Sequence, residues 1–402
     1  MDAIQLEKQY GAHNYDPLPV VLTRGEGIFL WDISGNRYMD MMSAYSAVSH
    51  GHCHPRIVRA LQQQANQLTM VSRAFYNDKL GEFLQKICDV SGQDKGLVMN
   101  SGAEAVETAL KAARKWAYLK KKVREQEAEI IVCENNFHGR TITIVSMSSE
   151  KQYYSGFGPL TPGFKKIPYD DIAALQNAIT SNTAAFLVEP IQGEGGIIIP
   201  HSDYLKQCAD ICRQNNVLLI CDEVQTGMGR TGEFLASHHA GIKPDGIILG
   251  KALGGGLLPV SIFLSHNEVM DVFTPGDHGS TFGGNPLAAA VGLEALTVLF
   301  DENLIPHTAQ IGAYFKAELQ KIKSTLIADV RGKGLLIGLE INPRYYSARE
   351  ICLRLMKKGV LSKETHHTVI RLAPPLIINK EQIDTVIEII ASVLKEAESE
   401  LT

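Results

Sequence analysis

Nowhere does the 402-residue chain hold about 18 consecutive apolar residues, so no segment reads as a membrane-crossing helix. The opening Met1-Asp2-Ala3-Ile4-Gln5-Leu6-Glu7 is acidic and lacks the apolar centre of a secretion signal, which sets the expectation of a cytoplasmic protein. An excess of positive charge is also missing. Lys and Arg number 39 against 44 Asp and Glu, a net charge of −5, so the cationic footprint of a nucleic-acid binder is absent. The seven cysteines (Cys53, Cys88, Cys133, Cys208, Cys212, Cys221 and Cys352) are odd in number and lack paired short spacings, which argues against a secreted disulfide framework. Cys208 and Cys212, four apart on a predicted helix, read as small core residues. The run His50-Gly51-His52-Cys53-His54 has metal-binding residue types, but it is compressed ahead of Pro55 and has no second ligand pair at a zinc-like spacing. No metal is expected. Internal repeats, low-complexity stretches and long Pro/Ser linkers are missing too, so the domains should pack closely.

What the chain does have is a normal globular balance, 45% apolar and 21% charged. That length can bury a large core, and at roughly 150 residues per domain it suggests two or three domains. Segments 27–32 and 37–41 read as short strands around the turn Ser34-Gly35-Asn36. Ile57, Val58, Leu61 and Leu68 predict a helix after Pro55. Short apolar runs at 96–99, 130–133, 184–188, 217–221 and 246–249 then alternate with helical stretches such as 103–122 and 202–215. This alternation predicts a largely parallel sheet covered on both faces. After about residue 290 the pattern turns to α+β. Helices near 287–300 and 304–323 lead to Arg331-Gly332-Lys333-Gly334 and a strand at 335–341. A helix near 346–358, a strand at 369–372 and a helix near 380–397 follow. The expected division is an arm and hairpin at 1–50, a large domain at 51–290 and a small domain at 291–402 that the hairpin joins.

Three places could do chemistry. Asn100-Ser101-Gly102-Ala103 follows a strand and opens a helix, where free N–H groups and the dipole favour an anion; an ordinary N-cap is the bland alternative. Gly227-Met228-Gly229-Arg230-Thr231-Gly232 is formally a dinucleotide fingerprint. However, Asp222-Glu223 precede the glycines, and His238, His239 and Gly241 interrupt what should be a helix. Lys251, between an apolar strand and Gly254-Gly255-Gly256, sits where a buried turn would normally be uncharged. Lysine can act as an imine-forming nucleophile when its surroundings deprotonate it. Asp222 ends a neighbouring strand, at the edge where open α/β sheets place ligands. A lysine, an acid and an anion cup together are what pyridoxal phosphate requires.

Five runs extend this pattern: Asn136-Phe137-His138-Gly139-Arg140-Thr141, Glu189-Pro190-Ile191-Gln192-Gly193-Glu194-Gly195-Gly196, Asp222-Glu223-Val224-Gln225-Thr226-Gly227, Gly250-Lys251-Ala252-Leu253 and Gly279-Ser280-Thr281-Phe282-Gly283-Gly284-Asn285-Pro286. In these runs, and from Asn14-Tyr15-Asp16-Pro17 to Arg371-Leu372-Ala373-Pro374, the chain resembles the class III aminotransferases, pyridoxal-phosphate enzymes of fold type I. The resemblance implies an α/β fold: a large cofactor-binding domain with a mostly parallel seven-stranded sheet, and a smaller α+β domain from both chain ends. It makes Lys251 the Schiff-base lysine and proton shuttle, and Asp222 the partner of the pyridinium nitrogen. Phe137 would stack on the ring, with His138 also at the cofactor, and Gln225 would approach the phenolic oxygen. Ser101, Gly102 and Ala103 would hold the phosphate. Ser280 and Thr281 would come from a neighbouring subunit, which implies a homodimer or higher homo-oligomer.

The implied reaction moves the δ-amino group of L-ornithine to 2-oxoglutarate. It gives glutamate and glutamate 5-semialdehyde, which closes to pyrroline-5-carboxylate. N-acetylornithine and γ-aminobutyrate are the competing donors. Arg140 would bind ornithine's α-carboxylate, with Tyr15 and Tyr45 as further substrate contacts. Arg371 would bind the α-carboxylate of glutamate, and Glu194 would pair with Arg371 while ornithine is bound. A catalytically silent dimeric binding protein on the same fold is the alternative of another class, but such a homologue has no reason to keep both Lys251 and Asp222.

Overall fold

Residues 2–401 are described by a computed structural model, and three sheets organise them. Near the N-terminus, β1 (Leu22–Glu26), β2 (Phe29–Asp32) and β3 (Arg37–Asp40) run antiparallel. The Asp32 carboxylate accepts from the backbone N–H groups of Ser34 and Asn36 (both 2.9 Å), so the expected turn between β2 and β3 is held by its own side chain.

The seven-stranded sheet contains β4 (Lys95–Met99), β5 (Glu129–Cys133), β6 (Phe164–Ile167), β7 (Thr183–Val188), β8 (Leu218–Asp222), β9 (Gly246–Leu249) and β10 (Ser261–Ser265). Their order is β4-β10-β9-β8-β7-β5-β6, and only β10 runs against the others. Strand alternation sends successive side chains to opposite faces. On one face Ile130, Val132, Leu187 and Ile220 pack against the helix Gly102–Trp116, whose Ala105, Ala109, Ala112 and Ala113 allow close approach. On the other, Ile131, Phe186 and Leu219 pack with Cys208 and Cys212 of the helix Tyr204–Gln214, so both cysteines are core residues. Burial on both faces explains the nearly continuous apolar runs of these strands.

The third sheet is antiparallel, with β11 (Ile327–Lys333), β12 (Leu336–Ile341), β14 (Lys363–Thr365) and β15 (Val369–Leu372) in the order β11-β12-β15-β14. The short β13 (Val360–Leu361) lies instead beside β3, in parallel, and ties the N-terminal hairpin to the C-terminal region.

Three local expectations are revised. The helix Pro55–Ala65 stops before Leu68, where the Gln64 side-chain amide donates to the Leu68 carbonyl at 2.8 Å. The long helix ends at Trp116 and continues as a wider turn, Ala117–Lys121. Arg331-Gly332-Lys333 belongs to β11 rather than to a lead-in loop. Gly332 is there because a Cβ would sit 2.4 Å from the Leu336 carbonyl oxygen at a φ of +148°. The three histidines of the 50–54 run diverge: His50 bonds the Ala295 carbonyl (2.9 Å), His52 Asp40 (2.8 Å) and His54 Glu302 (3.3 Å).

Candidate active site

The seven-stranded sheet delivers its polar residues to one edge. Ser101 follows β4, Phe137 and His138 follow β5, Glu189 follows β7, Asp222 ends β8 and Lys251 follows β9. These are the carboxyl ends of parallel strands, where open α/β sheets bind ligands. A cavity of about 180 Å³ lies among them, walled by Gly102, Phe137, His138, Glu189, Glu194, Asp222, Gln225 and Lys251 among others.

Lys251 stands at φ +46° on a short turn, Lys251–Gly254, directly after the extended Gly250. Burial pushes its pKa down from the usual lysine value, against the raising charge of Glu194. A lowered pKa favours the free amine, the form that can act as a nucleophile. Asp222 is 5% exposed, and its Oδ2 shares a 2.6 Å hydrogen bond with Nδ1 of His138. Its Oδ1 accepts from the Val224 N–H at 3.1 Å. Burial alone would lower the His138 pKa, but the hydrogen bond and the charges of Asp222 and Glu189 outweigh it and raise the pKa. His138 and the Val224 N–H thus hold Asp222 in place, with its carboxyl group on the cavity wall.

At the head of the helix Gly102–Trp116, Ser101 Oγ accepts from the Glu104 N–H (3.2 Å), while the Glu104 carboxylate reaches back to the Ser101 N–H (2.7 Å). The first-turn N–H groups of Gly102 and Ala103 have no acceptor inside the helix. A Cβ on Gly102 would come within 3.0 Å of Val224, so glycine is what lets this turn sit against β8's exit. Gln225 lines the cavity with its Nε2 buried and unpartnered, a donor poised for something absent from the chain itself. Alanine at 193 would put a Cβ 1.7 Å from Gln225 Oε1. The Phe137 ring packs edge-on to Tyr153 (centroids 5.9 Å apart), and its N–H donates to Glu189 Oε2 at 3.1 Å.

The predicted substrate residues form a second group. Arg371 on β15 is buried, and its Nη1 meets Glu194 Oε1 at 2.7 Å. Burial would raise the Glu194 pKa, but Arg371 outweighs it and holds the carboxyl ionised. Arg371 also lies 5.5 Å over the ring of Tyr45. Tyr45 sits on a turn whose four residues, Ser43 to Ser46, all have positive φ (42°, 47°, 58° and 72°), a left-handed path that costs ordinary residues roughly 1–2 kcal/mol each. Burial raises the Tyr45 pKa and Glu194 adds to the effect; Tyr15, itself exposed, lies close enough to contribute. The Arg140 guanidinium stacks 3.8 Å over Tyr153, with no carboxylate in ion-pair range among the described residues. Ser280 and Thr281 sit apart from this group. Within one chain Ser280 Oγ accepts from Asn100 Nδ2 at 2.7 Å, and Thr281 is exposed.

Sequence reasoning gave no separate role to Glu189, although the signal was available. It ends the apolar run 184–188 as Asp222 ends 217–221. Burial pushes its pKa up to about 7, against the lowering charge of His138. Tyr153 and the left-handed turn had no local signature.

Comparison with known proteins adds relatives. A family model described as Aminotransferase class-III matches residues 10–394. An ornithine aminotransferase of Brevibacillus brevis is 56% identical over 391 residues, 97% of each chain. A crystal structure of the Toxoplasma gondii ornithine aminotransferase superposes with a TM-score of 0.97 at 45% identity, covering 99% of this chain and 95% of that one. The acetylornithine aminotransferase of Elizabethkingia anophelis superposes at 0.90 with 52% identity over 98% of both chains.

Proposed function

The chain belongs to the class-III aminotransferases, and on that premise we propose that it moves the δ-amino group of L-ornithine to 2-oxoglutarate. Enzymes of this family depend on pyridoxal phosphate. The cavity suits that group: an unpartnered buried Gln225 amide, a carboxylate fixed by His138, an aromatic wall and an open helix N-terminus each match one part of it. When bound, the cofactor supplies an electron sink for the negative charge left as a carbon–hydrogen bond beside the amine is broken. All the rest falls to the chain.

Lys251, whose buried amine lines the cavity, would hold the cofactor covalently and would carry the proton at the donor's δ-carbon. Asp222, oriented by its 2.6 Å hydrogen bond to His138, would pair with the ring nitrogen. Phe137 would cover one face of the ring, and the unpartnered Gln225 Nε2 would donate to its phenolic oxygen. Ser101 and the N–H groups of Gly102 and Ala103 would bind phosphate, with Ser280 and Thr281 of a neighbouring subunit completing the cup in a homodimer or higher homo-oligomer. Arg140 takes the α-carboxylate of ornithine in a bidentate grip. Tyr15 and Tyr45 border the α-ammonium. Residues 51–290 form the cofactor-binding domain, while 1–50 and 291–402 make up the small one. The enzyme works in the cytoplasm.

The observation that carries the reading of a terminal-amine donor such as ornithine is the 2.7 Å pair between Glu194 and Arg371. Glutamate reacts at its α-carbon and needs a free cation near the reacting bond, whereas ornithine presents methylene groups there. A buried arginine facing methylenes is costly unless a carboxylate neutralises it. The N-acetylornithine reading has the support of the 52% identical solved structure, but Tyr45 favours a free α-ammonium over an acetylated one. The test is a donor panel with 2-oxoglutarate as acceptor: kcat/KM should be highest for ornithine, and a higher value for N-acetylornithine or γ-aminobutyrate would overturn the assignment.

A further inference from the structure

The glycine loop at 227–232 resembles a dinucleotide fingerprint but leads into no helix; its Arg230 is fully buried instead. Among the described residues no carboxylate lies within ion-pair distance of that guanidinium. Nη1 donates to the carbonyls of Leu335 (3.0 Å) and Pro374 (2.5 Å), the latter three residues beyond Arg371. Nη2 donates to Ser43 Oγ (3.2 Å) and Ser49 Oγ (2.9 Å). Ser49 Oγ in turn donates to the Ser46 carbonyl at 3.0 Å. One nitrogen thus reaches both ends of the left-handed turn that carries Tyr45: Ser43 directly and Ser46 through Ser49.

Other bonds close the same frame. Ser43 Oγ donates to the Ala373 carbonyl (2.6 Å), and the Asp40 carboxylate accepts from the N–H groups of Met42 (2.8 Å) and Ser43 (2.9 Å). Four consecutive non-glycine residues keep positive φ only where the surroundings over-determine the path. We infer that Arg230 is a positioning residue for substrate recognition: it clamps the Ser43–Ser46 turn to the segment after Arg371 and so fixes Tyr45 beside the Arg371–Glu194 pair. Arginine is required because its planar fork addresses four acceptors in two directions, whereas a lysine ammonium offers one point. This role rests on the reading of Tyr45 as a donor contact.

The experiment is a double-mutant cycle on the holoenzyme, with Ser49→Ala, Tyr45→Ile and the two combined, read by ornithine kinetics and by amide hydrogen exchange. Ser49→Ala cuts the link to Ser46 and leaves Arg230 on its carbonyls. It should raise the KM for ornithine about five- to tenfold, with kcat changed less than about twofold. Exchange should quicken across 43–48 and stay unchanged in β3. In the Tyr45→Ile background, Ser49→Ala should alter KM by less than about twofold. Arg230→Lys should give a larger version of the same pattern, and the serine variant decides the matter should that protein not fold. If Tyr45→Ile leaves the ornithine KM unchanged, the donor-contact reading falls and the clamp's role in recognition falls with it. If Tyr45→Ile raises KM but Ser49→Ala multiplies that rise, or exchange across 43–48 is unaltered, only the role of Arg230 is overturned.

Discussion

Replacing Glu194 by alanine should separate the two halves of the reaction. Arg371 is 2% exposed at its side chain, its Nη1 meets Glu194 at 2.7 Å, and its Nε is buried without a partner. Two unit charges about 4 Å apart attract by about 4 kcal/mol at an effective dielectric of 20, and removing one partner of a buried pair costs about 3–5 kcal/mol. Glu194 keeps 24% of its side chain exposed, so water screens part of this. A net penalty of about 2–3 kcal/mol is the reasonable expectation while ornithine's methylenes face Arg371, or about 30- to 150-fold in kcat/KM. The glutamate half-reaction supplies its own carboxylate to Arg371, and there the loss of a competitor should leave the rate unchanged or faster. Single-turnover measurement of each half-reaction, followed by cofactor absorbance, reads the two effects separately. Parallel slowing of both would refute the exchange of partners at Arg371.

Lys251→Ala should fold and retain cofactor non-covalently yet lose turnover; near-normal transamination would remove Lys251 from its role. Asp222→Asn, nearly isosteric, should slow proton removal far more than it lowers melting temperature, and excess cofactor should not restore the rate. Tyr45→Ile should weaken ornithine more than γ-aminobutyrate, which has no α-amine, as a comparison of the two KM values would reveal. Glu189 has its folded pKa raised to about 7 from 4.5, so the folded protein binds the extra proton between those values. Its contribution is therefore full below about pH 4.5 and is lost as pH rises towards 7. Glu189→Gln should gain stability relative to the parent over that interval, by about 1–3 kcal/mol in denaturant titrations at pH 5 and pH 8; a gap that does not change with pH would contradict the assignment.

Much of the chemistry was legible because it interrupts apolar strands. Asp222 and Lys251 stand out as charged residues at the ends of runs that are buried on both faces, and burial makes such runs unmistakable. Glu189 obeys the same rule, yet it passed unread beside Pro190 and the glycines that follow. Strand β6, with two lysines in its four residues, is an edge strand and lacks the apolar run of its neighbours. The glycine at 332 signals a turn in sequence but serves close packing inside β11. Least legible was the Ser43–Ser46 turn, since Ser-Ala-Tyr-Ser has no residue that favours positive φ. Its conformation comes from Asp40, Arg230 and Ala373, contacts that span up to 330 residues of chain. Local propensity cannot report a path imposed from so far away.

In the proposed reaction the δ-nitrogen, and not the α-nitrogen, of ornithine leaves. Ornithine labelled with nitrogen-15 at one position or the other, incubated with enzyme and 2-oxoglutarate, tests it directly by mass spectrometry of the glutamate formed. Label from the δ-position should appear in glutamate and α-label should stay in the cyclised product. Glutamate labelled from the α-position, or no labelled glutamate from either substrate, would rule out δ-amino transfer.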